Sequence, residues 1–124
     1  MQITASRPMF QTKGSSRMKI LSIKDFSNGW IIGDFEPSLH RTNDIEVALK
    51  SFKKQEKEPN HLQRIATEAS LVVSGHIRMG SHHLKSGDIL VVEPGEAYDF
   101  EALEDSTVLA IKWPSLPDDK VIVS

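Results

Sequence analysis

The chain has 124 residues, a length that one domain fills and two independent cores would not. Hydrophobic residues make up 39% and charged residues 26% of it, with 15 basic against 17 acidic side chains and a formal net charge of -2. That balance argues against a disordered or membrane-embedded class, and no stretch concentrates Lys and Arg into a face for nucleic acid.

Cysteine is absent, which removes disulfides and thiolate metal sites and agrees with a reducing cytosol; any metal must be held by His, carboxylate, amide or phenol. The first 24 residues contain no acid and include Arg7, Lys13 and Arg17, a composition similar to that of an organelle transit peptide but without the apolar core of a secretory signal. Met18-Lys19-Ile20 would serve equally well as a start. Residues 1–17 are therefore expected to be a poorly ordered extension or a surface arm, and residues 18–124 a single domain. No apolar stretch approaches the ~20 residues of a membrane-spanning helix, so the expected setting is cytoplasmic, with no membrane partner.

One helical turn is expected near residues 20–26. Beyond it, short β-type runs separated by turn residues dominate, at 30–35, 45–52, 61–64, 68–74, 76–79, 89–92, 97–101 and 107–113. Ser86-Gly87-Asp88, Pro94-Gly95 and Glu104-Asp105-Ser106 mark chain reversals. The reading is all-β, a sandwich or barrel. The run from Lys53 to Glu58 alternates in charge sign and is assigned to a solvated loop, and His82-His83 to an exposed hairpin tip. His40 and His76 have no partner at a ligand-like spacing.

Two strands are apolar on both faces: Leu71 and Val73 oppose Ser70 and Val72, while Ile89 and Val91 oppose Leu90 and Val92. With little helix to cover a sheet, the simplest cover is a second subunit, so a homodimer is expected.

From residue 58 to residue 100 the sequence resembles the cupin family. The family's first motif reads G-x(5)-H-x-H-x(3,4)-E-x(6)-G and its second G-x(5)-P-x-G-x(2)-H-x(3)-N. His61, Glu68 and Gly75 match the first, and Gly87 and Gly95 the second. The departures are Gln55 for the leading Gly, Gln63 for the second His, Glu93 for the Pro, Tyr98 for the third His and Ala102 for the Asn. The resemblance implies a double-stranded β-helix, or jelly-roll, barrel. It also implies a degenerate site for a divalent metal (Fe, Mn, Ni or Zn), with His61, Gln63, Glu68 and Tyr98 as candidate ligands and Glu68 and Tyr98 as candidate catalytic groups.

Strand alternation points His61 and Gln63 the same way, into the barrel. After a turn, Glu68 is expected to open the antiparallel partner strand, with Tyr98 and Phe100 entering after Pro94-Gly95. One alternative for His61 and Glu68 is a mutual hydrogen bond. Tyr98 is also a candidate general acid. No Gly-rich phosphate loop, G-x-S-x-G elbow, zincin helix or Cys-His pair is present.

Three functions follow. The first is a cupin that binds a small polar metabolite and acts on it through a metal, by dioxygenase, isomerase or lyase type chemistry. The second is a metal-free binding or sensing module using the same cavity. The third is a structural protein whose barrel is filled by side chains.

Overall fold

The computed structural model describes residues 17–124. Apart from Arg17, the expected N-terminal extension lies outside the described residues. A 3-10 turn at Ile23–Asp25, capped by Ser22, precedes ten strands. These are β1 (Trp30–Ile32), β2 (Glu46–Phe52), β3 (Lys57–Gln63), β4 (Thr67–Ser74), β5 (His76–Met79), β6 (His82–Lys85), β7 (Ile89–Val92), β8 (Tyr98–Ala102), β9 (Ser106–Trp113) and β10 (Lys120–Ile122).

The strands form two five-stranded antiparallel sheets, ordered β1-β2-β9-β4-β7 and β10-β3-β8-β5-β6. Period-two alternation explains the packing of the sheets. On β4, Glu68, Ser70 and Val72 are buried; on β8, Tyr98, Phe100 and Ala102; on β9, Ser106, Val108 and Ala110. Val72, Ile77, Met79, Phe100 and Val108 fill one end of the barrel, and Phe52 stacks on Phe100 with ring centroids 4.4 Å apart. Polar side chains line the other end.

The structure revises several sequence expectations. Strand 30–35 ends at Ile32. The third strand begins at Lys57, so the last two residues of the presumed charged loop are sheet. His82 and His83 lie in β6 rather than at a hairpin tip, and His83 Nδ1 meets His76 Nε2 at 3.2 Å across the β5–β6 pair. Strand β10 was not anticipated; it pairs with β3, placing Lys120 opposite Gln63.

The most consequential revision concerns the strand that carries Glu68. Strand β3 pairs with β8 and β10, whereas β4 pairs with β7 and β9 in the other sheet. The corner between β3 and β4 is therefore a switch between sheets and not a hairpin. Asp119 holds that corner: its buried carboxylate accepts from the Ile65 N–H at 2.9 Å and the Ala66 N–H at 2.8 Å.

The β4–β5 turn depends on Gly75, whose φ is +96° and whose absent Cβ would lie 2.2 Å from Ser106 Oγ and 2.5 Å from the Asp105 carbonyl oxygen. Gly87 has a similar φ of +92° but open space around it. Gly75→Ala should therefore destabilise the fold by about 3 kcal/mol and Gly87→Ala by about 1 kcal/mol, a difference that urea unfolding resolves. Equal losses would show that backbone conformation alone matters at both turns.

Candidate functional site

The polar end of the barrel opens into a cavity of about 370 Å³. His61, Gln63, Glu68 and Tyr98 all line it, joined by Lys50, Glu58, Lys112 and Lys120. The four residues singled out in the sequence thus share one cavity, reached from both sheets. His61 and Gln63 come from β3, Tyr98 from its neighbour β8, and Glu68 from β4 opposite.

His61 is fixed by a β-bulge. Between the pairs Glu58–Phe100 and His61–Tyr98, β3 uses one residue more than β8, and Pro59, which has no N–H to give a ladder, sits inside this irregularity. The Pro59 carbonyl accepts a hydrogen bond from His61 Nδ1 at 2.7 Å. Because a carbonyl only accepts, Nδ1 carries the proton and Nε2 presents a lone pair. The His61 ring packs on Tyr98, with centroids 4.4 Å apart.

The bulge has a second effect: it shifts strand parity so that Glu58 as well as His61 faces inward. Strict alternation back from His61 puts Glu58 outside, which is why the sequence reading missed it. Pro59 within a strand was the available signal. Glu58 Oε2 lies 3.8 Å from Lys50 Nζ, and that ammonium stands over the Trp30 ring at 5.2 Å. Burial lowers the Lys50 pKa, opposed by Glu58 and reinforced by Lys112 and Lys120.

His61 and Glu68 do not bond each other, contrary to the alternative considered from the sequence. The buried Tyr98 hydroxyl instead donates to Glu68 Oε1 at 2.5 Å. Burial first, and then the Glu68 charge, push the phenol pKa well above its ordinary value. Tyr98 therefore stays protonated at neutral pH, and its proton is committed to Glu68. Gln63 is buried, and no hydrogen bond to its side-chain amide is found among the described residues.

On the β2-β9-β4 sheet, Glu46, Lys112 and Glu68 stand in register across three strands. Glu46 accepts from the Ser115 hydroxyl at 3.0 Å, and Lys112 Nζ lies 4.9 Å from the Trp30 ring centroid. Neither Lys112 nor Lys120 has a carboxylate within ion-pair distance among the described residues.

No protein-family model matches this sequence, and no curated protein is significantly similar to it. Solved structures are similar in fold. A double-stranded β-helix protein from Klebsiella pneumoniae superposes with a TM-score of 0.64 at 20% identity, over 91% of this chain and 98% of that one. A sugar phosphate isomerase from a cupin superfamily, from Silicibacter pomeroyi, gives 0.54 at 18% identity, over 58% and 52% of the two chains. The fold is that of a small cupin domain. The bacterial pirin YhhW from Escherichia coli, solved in complex with nickel(II), matches the same cupin barrel with a TM-score of 0.61 at 21% identity, over 70% of this chain and 39% of its own.

The nickel(II) of the pirin complex raises the question of whether the donors present here would hold a metal. Among the described residues no three His, Cys, Asp or Glu side chains are placed to share one ion. Of the four candidate ligands, Tyr98 is a neutral phenol and one Glu68 oxygen accepts its proton, leaving His61 Nε2, the second Glu68 oxygen and the Gln63 amide free. As it stands, the set does not fit a tightly held metal.

Tyr98 is the single tyrosine of the chain, so ultraviolet titration reports this site alone. The folded protein holds the phenol proton more tightly than the unfolded chain does. The resulting stabilisation is complete below the unfolded phenol pKa near 10 and is lost as pH rises beyond it. Absorbance at the tyrosinate wavelength should stay flat through pH 10 in the folded protein, and in Glu68→Gln the transition should move down towards the ordinary range. A normal phenol titration in the folded wild-type protein would contradict this geometry.

Proposed function

We propose that this cupin barrel is a binding module for a small polar metabolite carrying an anionic group, held without a permanently bound metal. The observation that carries the reading is the Tyr98–Glu68 hydrogen bond, which keeps the phenol neutral and takes up one Glu68 oxygen, so that one imidazole, one carboxylate oxygen and one amide remain. The open face of the cavity then offers a hydrogen-bonding surface rather than a coordination sphere. His61 Nε2 accepts from a ligand hydroxyl, and the Gln63 amide both donates and accepts. Lys112 and Lys120, unpaired among the described residues, favour an anionic group at the mouth, while Glu58 and Glu46 suit hydroxyls. A phenol that holds its proton so tightly is a poor general acid at neutral pH, which weighs against Tyr98 in catalysis.

A second reading places a divalent metal, iron, manganese, nickel or zinc, at His61 and Glu68. One observation favours it: the Nδ1–H of His61 is anchored on a carbonyl and Nε2 faces the cavity, the arrangement usual for a ligating imidazole. Glu68 can offer an ion Oε2 while Oε1 keeps the Tyr98 hydrogen bond.

Thermal-shift titration of chelator-treated protein separates the two readings. Under the first, hydroxy acids or sugar phosphates raise Tm while matched neutral sugars do not. At a hundredfold excess over Kd the gain is about 2.7 kcal/mol, several degrees for a domain of this size. Lys112→Ala and Gln63→Ala should each reduce it. Stabilisation by metal alone, with near-stoichiometric metal in freshly purified protein that His61→Ala abolishes, would overturn the first reading in favour of the second.

A further inference from the structure

Lys50 lines the cavity but has no part in the binding of a metabolite described above. It shares the inward parity of Ala48 and Phe52 on β2, and its Nζ stands over two rings, 5.2 Å from the Trp30 centroid and 5.9 Å from that of Phe52. The side chain is 25% exposed, so it is neither free in solvent nor sealed in the core. Its ion-pair partner, Glu58 Oε2, lies 3.8 Å away, close enough for ionic attraction and too far for a hydrogen bond. The nitrogen is thus held in direction while its protons stay uncommitted to that carboxylate.

A lysine in such a setting is suited to act as a nucleophile. Burial disfavours its ammonium form, and Lys112 and Lys120 add repulsion, against the opposing pull of Glu58. Lys112 Nζ lies 4.9 Å from the same Trp30 centroid, so the Lys50 and Lys112 nitrogens fall within the span of one small metabolite. A ligand whose anionic group rests on Lys112 brings a neighbouring carbonyl carbon within reach of Lys50.

We propose that Lys50 captures the carbonyl group of an anionic aldehyde or keto metabolite as a protonated imine. This rests on the reading of the cavity as a site for an anionic metabolite and adds a covalent step to it. The Lys50 ammonium gives up a proton, for which Glu58 is the neighbouring acceptor. The amine lone pair then forms the C–N bond, the carbonyl π pair moves to oxygen, and a proton passes from nitrogen to that oxygen. Protonated Glu58 returns its proton to the new hydroxyl, the C–O bond breaks to release water, and the nitrogen lone pair closes the C=N bond. Ammonium and carbonyl give iminium and water, with no oxidant or reductant. The product keeps its positive charge, so the Trp30 ring and Glu58 stabilise it as they do the ammonium.

Glyoxylate, a small aldehyde that carries a carboxylate, is the probe. The full chain is incubated with it and sodium cyanoborohydride, whose hydride reduces an imine to a stable secondary amine, and peptide mass spectrometry locates and times the adducts. Expected is an adduct at Lys50 formed roughly tenfold faster than at the exposed Lys53 and Lys54, and absent from that position in Lys50→Arg. Replacing glyoxylate by neutral acetaldehyde, or Lys112 by Ala, should each reduce this selectivity. Circular dichroism checks that each variant is folded; should Lys50→Arg not fold, the peptide map of the wild type carries the test.

Adducts formed at equal rates on Lys50 and the exposed lysines overturn the proposal, as does a Lys50 selectivity indifferent to both acetaldehyde and Lys112→Ala. If Lys50 stays unlabelled while hydroxy acids still raise Tm, the covalent step falls and the binding reading stands; if neither is seen, both fall.

Discussion

The site depends on one hydrogen bond that crosses the barrel. Tyr98 stands on β8 in one sheet and Glu68 on β4 in the other, and the phenol proton joins them at the buried wall of the cavity. A buried carboxylate is costly unless it is paired or hydrogen-bonded, and a hydrogen bond to a charged group is worth about 1.5–3 kcal/mol net, more than most. The same contact thus gives the carboxylate a donor, fixes the phenol and links the sheets at the polar end. Substituting Tyr for a third family histidine exchanges a basic nitrogen for a proton donor, and this donor needs an acceptor such as Glu68.

A second constraint works through strand parity. A single extra residue at Pro59 turns both Glu58 and His61 into the cavity and presents the carbonyl that selects the His61 tautomer. The proline gives up no ladder hydrogen bond there that a bulge would have kept. Glu58 in turn brings Lys50 against the cavity wall. A local backbone irregularity therefore sets the orientation of the imidazole and the charge distribution around it.

Much of the fold was legible because it rests on local rules. His61, Glu68, Gly75, Gly87 and Gly95 keep family spacings, and the turns and most strands follow from glycine, proline and period-two alternation. What escaped was non-local. Strand β10 is three residues long with no buried side chain, and β6 carries only one buried residue, Leu84, so neither shows much pattern. The partner of β4 could not be read from the adjacent sequence, because β4 pairs with β7 and β9 and the corner before it is held by Asp119, more than fifty residues away. The four cavity residues His61, Gln63, Glu68 and Tyr98 were found by spacing. Their hydrogen bonds were not, since spacing does not say which of two acceptors a phenol will reach. Lys50 on β2 and Lys112 on β9 belong to one sheet and Lys120 on β10 to the other, so they come together only when the two sheets pack.

The central claim is that Glu68 and Tyr98 act as one unit across the barrel, and a double-mutant cycle measures this directly. Unfolding free energies of the wild type, Tyr98→Phe, Glu68→Gln and the double variant, determined in urea at neutral pH, should yield a coupling energy of about 1.5–3 kcal/mol. A coupling indistinguishable from zero, with each substitution adding independently, would contradict the account.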